Sequence, residues 1–580
     1  MTRLALALLV SAIMVASPPS YATDGDLDPT FGSGGTVSHP NFRGFSVLSV
    51  GDDALLIGGG GTGFALARLD ADGALDPTFG SGGIVTTNDD EVAILDLVAQ
   101  PDGKILAIGE AEHASGFGRQ FRVLRYHPDG TLDLAYGTGG KATGTFATSV
   151  IANSGALQPD GALLVAGFVV NSAGVTYDMA LARFAADGAL DPTFGTAGET
   201  VVDFPDLGMA ATDVVLAGDG GFFVVGYAAR PLASGYDTDY IVVRHHADGT
   251  IDASFGDEGR VLTSFQSEYP YELPSAALLD PDGKLVVAGT SGPYFGVARY
   301  HPDGTLDATF GSGGLVHLHH FPVVDEAIVA RQPDGKLLLA GTGYPVPEGV
   351  FEPTVFAVTR LQPDGRVDAS FAPCPQVSTH VGADARVTDL LVRADGTFVV
   401  LGRRDPASGF AVARYGTPSM PSCQSAEPGR SALKIRNAAD PGRALLKWRW
   451  KGEPVAVADF GDPTGATGYT FCVLDQGTGT PRSRVGSPMM RFGWSARSNG
   501  WAFKTKADND FPFRAAKLVA SPAGKGKVKI LAKGEYLYPY LPLAAPVVAR
   551  MVRDNGSACW EATFSAAVQS TAEQFSATSD

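Results

Sequence analysis

Residues 27–415 alternate between short apolar runs and tight polar turns. One run, typified by Ala93-Ile94-Leu95-Asp96-Leu97-Val98, precedes a Pro-Asp-Gly turn. The next ends in Gly, as in KILAIG, ALLVAG, KLVVAG, KLLLAG and TFVVLG. A third ends in Arg, as in FRVLR, MALAR, YIVVR, FGVAR, FAVTR and FAVAR. A second Asp-Gly turn and an LDPTFGSGG phrase lead into a fourth run. Asp-Gly pairs between apolar runs are strong tight-turn signals. Each period therefore predicts four short antiparallel strands.

LDPTFGSGG stands at Leu27 and Leu75, and weaker copies follow. Their aromatics are Phe31, Phe79, Tyr136, Phe194, Phe255, Phe310 and Phe371, spaced 48, 57, 58, 61, 55 and 61 residues apart. A four-strand unit of this length is a β-propeller blade. The coils of a β-solenoid, the main rival, are much shorter. Second runs end at Gly58, Gly109, Gly167, Gly226, Gly289, Gly341 and Gly402. Third runs end at Arg68, Arg125, Arg183, Arg244, Arg299, Arg360 and Arg414. The last repeat stops at Tyr415, while the N-terminal part begins inside a repeat. Thr36–His39 is thus expected to supply the missing fourth strand. The predicted fold class is all-β: a seven-bladed β-propeller closed by the mature N-terminal strand, followed by a small β-sandwich.

The DGxLDxTFGxGG and PDGKxLxxG phrases resemble the delta-60 repeat β-propeller family of bacteria over about residues 24–415. Tyr136 replaces Phe in one copy, and Ala372-Pro373-Cys374-Pro375 replaces the glycines of the last. The resemblance implies the fold and a surface or secreted location, and no activity.

Composition fits a chain rich in turns: Gly is 73 of 580 residues, nearly twice ordinary usage. The net charge of −18 excludes generic nucleic-acid binding. Met1-Thr2-Arg3, the apolar Leu4–Ala16 and Ser20-Tyr21-Ala22 read as a secretory signal cleaved after Ala22. No later apolar stretch is long enough to span a bilayer. Beyond residue 420 the balance turns positive, with 21 Lys+Arg against 13 Asp+Glu, and all five Trp lie there. The expected domains are a signal peptide at 1–22, the propeller at 23–416, a Pro/Ser-rich linker at 417–429 and the β module at 430–580. In the module, Trp448 and Trp450 share one strand face while Lys447, Arg449 and Lys451 share the other. The Trp residues read as core, with a carbohydrate platform as the sharper alternative. The phrases LKWRWKG, GYTFCVLD and CWEATFS are similar to those of a C-terminal module on other secreted bacterial proteins.

Several residue sets carry candidate chemistry. Each third-run Arg stands eight residues before an Asp: Arg68/Asp76, Arg125/Asp133, Arg183/Asp191, Arg244/Asp252, Arg299/Asp307 and Arg360/Asp368, with Asp28 completing Arg414 through closure. A planar guanidinium suits a carboxylate held bidentately, so these read as structural ion pairs, with turn acids such as Asp72 and Asp129 as alternative partners. The acidic phrases around Asp24, Asp26, Asp28, Asp70, Asp72 and Asp76 suggest calcium as an alternative to turn chemistry, but most copies offer too few carboxylates. No cofactor is expected. His317, His319 and His320, and the pair His245/His246, lack a third ligand and read as packed or surface residues. Cys374, Cys423, Cys472 and Cys559 in an exported chain predict two disulfides, with three connectivities possible. Cys374–Cys423 and Cys472–Cys559 are favoured. No catalytic phrase such as G-x-S-x-G or H-E-x-x-H is present.

The variable loops Ala228–Asp239, Gly343–Thr354 and Gln266–Pro274 share one face of the disc. In or beside them Tyr236, Tyr240, Tyr269 and Tyr271 are candidate binding residues for sugars or peptides. The expected function is a non-enzymatic, monomeric binding or scaffold protein, exported to the periplasm, cell surface or medium. Its partner is a protein or polysaccharide of the cell envelope, not nucleic acid or membrane, and its basic module attaches to an anionic polymer or to the ring itself. The alternatives are a lectin-like protein and a glycan- or lactone-acting propeller enzyme, the latter requiring unpaired carboxylates or His at the ring centre.

Overall fold

A computed structural model describes residues 27–580 except 41, 52, 62, 88–90, 114–117, 171–176, 206, 232–234, 266–269, 344–353, 369, 373, 375, 383, 405–408, 417–422, 438–442, 464–468, 476–480, 488–493, 505–512, 522–525, 534–540, 542, 544 and 554–557. The signal-peptide reading and Asp24, Asp26 and Tyr269 lie outside the described residues, as do the side chains of His319 and His320. The molecule is all-β, with many small antiparallel sheets, as a β-propeller requires.

The repeated grammar becomes a repeated sheet. In one unit Val150–Leu157, Leu163–Val170, Tyr177–Phe184 and Glu199–Val202 pair in chain order. The Asp-Gly turn that links strands is built by its own side chains. The Asp129 carboxylate accepts the Thr131 N–H at 2.9 Å and the Thr131 hydroxyl at 2.7 Å, and Gly130 takes φ 86°. That glycine also seats the neighbouring unit. A Cβ on Gly130 would lie 2.9 Å from the Phe79 ring. Gly73 stands the same way over Phe31, and Gly304 over Phe255. The repeated aromatic and the repeated glycine are thus two halves of one contact, made between successive units.

The first strands of the units contact one another in chain order, and Ala385–Val392 in turn contacts Arg43–Val50. Thr36–His39 pairs antiparallel with Gly409–Tyr415, Thr36 opposite Ala413. One core cluster joins Phe31, Leu55 and Ile57 to Leu401, Phe410 and Val412, residues from the two ends of the repeat region.

Beyond residue 422 two sheets share one core. An eight-stranded sheet contributes Leu446, Trp448, Trp450, Ile530 and Phe575, and a five-stranded sheet contributes Phe471, Val473, Met551 and Trp560. Trp448, Trp450 and Trp560 are fully buried, which places them in that core rather than on a surface platform. Gln424–Ser425 pairs in parallel with Cys559–Phe564, so the five-stranded sheet takes in residues that the sequence reading assigned to a linker.

The disulfides are Cys374–Cys472 and Cys423–Cys559, which corrects both favoured pairings. Sheet order explains the outcome. Cys472 lies on Tyr469–Asp475 and Cys559 on Cys559–Phe564, and Val547–Arg553 runs between those strands. Two strand spacings are about 9.6 Å, beyond the roughly 7 Å Cα separation a disulfide spans. The parallel pairing of Gln424 with Trp560 sets Cys423 beside Cys559 instead. Cys374, from the last repeat, is left for Cys472, and the bond joins the repeat region to the module.

Candidate functional site

The third-strand arginines make the most regular polar contacts. Arg68 meets Asp76 at 2.8 Å, Arg125 meets Asp133 at 2.8 Å, Arg244 meets Asp252 at 3.2 Å and Arg299 meets Asp307 at 2.9 Å. Arg360 meets Asp368 at 2.8 Å, Arg414 meets Asp28 at 2.8 Å, and Arg183 bonds Asp191. Each guanidinium does more. Arg68 donates to the Pro128 carbonyl of the next unit at 2.7 Å, Arg299 to that of Pro363 at 2.6 Å and Arg414 to that of Ala71 at 2.6 Å. Arg125, Arg299 and Arg414 also lie over the rings of Tyr136, Phe310 and Phe31. The lysine of the Pro-Asp-Gly-Lys phrase adds a second cation in three units, as Lys104 to Asp133 at 3.1 Å and Lys284 to Asp307 at 3.2 Å show. Although burial works against it, Lys104, the Ala135 N–H and Arg125 hold the Asp133 carboxyl down to about 2. In the turn after the third strand, acids such as Asp129 and Asp303 bond their own turn rather than the arginine, whereas Asp160 and Asp219, in the turn before the second strand, bond Arg183 and Arg244. These carboxylates are consumed by the fold, and among the described residues no group of three His, Cys, Asp or Glu could hold a metal ion.

A second set of acids was not singled out from the sequence. Asp96, Asp213 and Asp389 stand on the first strands of three units, each just after a β-bulge. They lie deep in the molecule with a little solvent access. Each reaches across to the following first strand. Asp96 accepts the Gly155 N–H at 2.9 Å, Asp213 that of Ala277 at 2.7 Å and Asp389 that of Val47 at 2.7 Å. Each also accepts the N–H of its own successor, Leu97, Val214 or Leu390. The Ser46 hydroxyl lies 3.3 Å from Asp96 and 3.2 Å from Asp389, and Ser154 donates to Asp213 at 2.7 Å. No cation pairs with the three among the described residues. Burial pushes the Asp96 carboxyl up to about 7, with Asp389 and Asp213 adding repulsion and the Gly155 and Leu97 N–H groups opposing it. Burial pushes Asp389 up to about 6 and raises Asp213. The signal that could have revealed them is a lone acid inside each of the apolar runs AILDLV, ATDVVL and VTDLLV.

The candidate tyrosines separate. Tyr240 is fully buried, its hydroxyl 3.2 Å from the Gly296 carbonyl and its ring edge-on to Phe265, so it is a core residue and not a binding one. The reason is register. Tyr240 pairs with Thr263 at the end of the fourth strand, whereas Tyr236 lies past it. The expected loop Ala228–Asp239 is also largely strand, because Phe222–Pro231 and Tyr236–His245 pair out to Pro231 and Tyr236. Tyr236 and Tyr271 are exposed, at 40% and 54%. They belong to one rim: Thr238 bridges to Tyr271, a Cβ on Gly235 would lie 3.7 Å from the Tyr271 hydroxyl, and exposed Leu273 follows.

Among the described residues the histidines do not assemble. His245 is buried, stacked on Phe222 at 5.0 Å and bonded to the Gly249 carbonyl, and burial pulls it down to about 4. His246 is exposed. His317 lies 3.2 Å from the Ser291 carbonyl and beside the rings of Phe265 and Tyr294.

One family model agrees with this architecture. Residues 51–79, 100–136, 158–194, 281–310 and 332–371 match the family described as a domain of unknown function (DUF5122) beta-propeller. The matched segments resemble β-propeller repeats. No curated protein matches the chain. Among solved structures, a virginiamycin B lyase from Staphylococcus aureus is 11% identical, with 66% of this chain and 98% of that one covered and a TM-score of 0.38. The WD40 propeller domain of Doa1 is 9% identical over 65% and 94% of the two chains, with a TM-score of 0.39. The GH93 α-L-arabinofuranosidase of Fusarium graminearum is 12% identical over 56% and 92%, with a TM-score of 0.36.

Proposed function

We propose that the protein is an exported, non-enzymatic binding scaffold whose β-propeller has seven blades closed by Thr36–His39 and carries a C-terminal β-sandwich. The two disulfides fit an oxidising compartment. Among the described residues no helix is long and apolar enough to cross a membrane. Binding takes place on the rim of Tyr236, Tyr271 and Leu273. The observation that carries this reading is the convergence there of three of the seven exposed large hydrophobic side chains among the described residues, two of them aromatic. A tyrosine offers an apolar face and a polar tip, which suits a sugar ring. The test is retention of the full chain on a panel of bacterial and environmental polysaccharides, before and after Tyr236→Ala with Tyr271→Ala. Loss of retention in the double variant is expected. Unchanged retention, or no retention by the parent chain on any neutral polysaccharide, overturns the assignment.

One observation favours catalysis as a second reading. Asp96 and Asp389 titrate near neutrality without a cation, as general acids do. Their geometry argues against it: each carboxylate already accepts two backbone N–H groups and faces a serine hydroxyl. A glycosidase or lactonase activity that disappears in Asp96→Asn would replace the scaffold reading.

A further inference from the structure

We propose that the outer face of the eight-stranded sheet is a docking groove for a linear anionic polysaccharide. Strand alternation produces the face. Leu445–Gly452 buries Leu446, Trp448 and Trp450 and exposes Lys447 and Arg449. Gly526–Lys533 likewise exposes Lys529, Ala432–Arg436 exposes Lys434 and Phe513–Val519 exposes Lys517. The pairing register puts these cations side by side. Lys434 stands opposite Lys447, Arg449 opposite Lys529, and Lys529 opposite Lys517. Neighbours across the sheet are about 4.8 Å apart, and neighbours along a strand about 6.8 Å. None of the eight strands contains an Asp or Glu. None of the five cations meets a carboxylate among the described residues. Such crowding of like charge is retained only at a cost to the folded state. Lys451, at the same face, is held below the ordinary lysine value by desolvation and by Lys527, Arg430, Arg449 and Lys529.

Shape and attachment select the occupant. The five cations line a groove of about 710 Å³ floored by Ala432, Ala515 and Leu531 and flanked by the exposed Val568. A chain molecule follows a trough, and its apolar ring faces meet the aliphatic floor, whereas a flat bilayer touches only the edges. The acidic repeat region of this chain is not the occupant. Cys374 bonds Cys472 on the five-stranded sheet, and the side chains beside that bond, Leu474, Val548 and Val552, point away from the shared core. The layers therefore run from the repeat region through the five-stranded sheet and the core to the eight-stranded sheet, with the basic face outermost.

The test uses the full chain on immobilised dextran sulfate and polygalacturonate at low and high salt. The comparison is Lys447→Gln with Arg449→Gln and Lys529→Gln, and the Tyr236/Tyr271 double variant is a second control. Retention by the parent chain that falls steeply with salt, weakens about tenfold in the triple variant and persists in the tyrosine variant is expected. The three positions are exposed, so the triple variant should melt with the parent chain. Three outcomes overturn the inference: no retention on either polyanion, equal retention of the triple variant, or preferential capture by anionic phospholipid vesicles or single-stranded DNA. Failure here leaves the rim reading standing, and failure of the rim reading leaves this one.

Discussion

The repeat region and the C-terminal module treat charge in opposite ways. In the repeat region a guanidinium finds a carboxylate, a carbonyl of the next unit and often an aromatic face, so its charges are spent on joining units. In the module the cations of the long sheet find one another and open solvent. The Trp and Leu side chains on the reverse of the same strands hold that sheet together without them. Paired charge is a fastener, while unpaired charge on an independently stabilised sheet is free to meet something outside the molecule. The contrast also explains why a net-negative chain can carry a strongly basic face.

The largest effect should come from breaking a fastener. Arg360→Ala leaves Asp368, 2% exposed, with Lys336 at 3.5 Å as its remaining cation, which costs up to about 3–5 kcal/mol. Thermal melting should show the repeat region unfolding earlier, while Lys447→Gln in the module leaves the melt unchanged. Equal effects of the two would erase the comparison. Next comes the bond between regions. Cys374→Ser removes a cross-link spanning 98 residues, worth about 2–5 kcal/mol, and leaves Cys472 as the single thiol for alkylation. Labelling of Cys423 or Cys559 instead would contradict the pairing.

The smallest effect lies in the acids that lack a cation. The folded state holds the proton of Asp96 up to about pH 7, well above the ordinary value of 3.8. Its contribution to stability is present at pH 4 and is lost as pH rises through 7. Asp389 acts in the same sense up to about pH 6. The Arg-paired Asp133 acts in the opposite sense, losing its contribution only as pH falls toward 2. Melting temperature should decline from pH 5 to pH 8, and Asp96→Asn should flatten that slope while lowering stability throughout, because its amide nitrogen would face an N–H donor. An unchanged slope would remove Asp96 from the account.

Much of this was legible in sequence because it repeats. Six arginines, each eight residues before an aspartate, announce a contact before any fold is known, and so do aromatics spaced by one unit. Asp96, Asp213 and Asp389 escaped because the corresponding places in other units hold Ser46, Ser154 and Ala276, leaving no periodic signal. The cysteine pairing escaped for a different reason. It depends on which strand lies between Cys472 and Cys559, and sheet order is a property of the whole module. Tyr240 and Tyr236 look alike in sequence, and only the point where the fourth strand stops separates the buried ring from the exposed one.

The bond between Cys374 and Cys472 makes the stretch of chain between them mechanically redundant. A protease that cuts within residues 375–422 severs the backbone but frees neither part, because each half remains tied through sulfur. The module would stay on its carrier in a nicked molecule and come away only under reduction. In an oxidising compartment, where thiols are scarce, the covalent unit that persists is the one defined by the cysteines rather than by the unbroken chain.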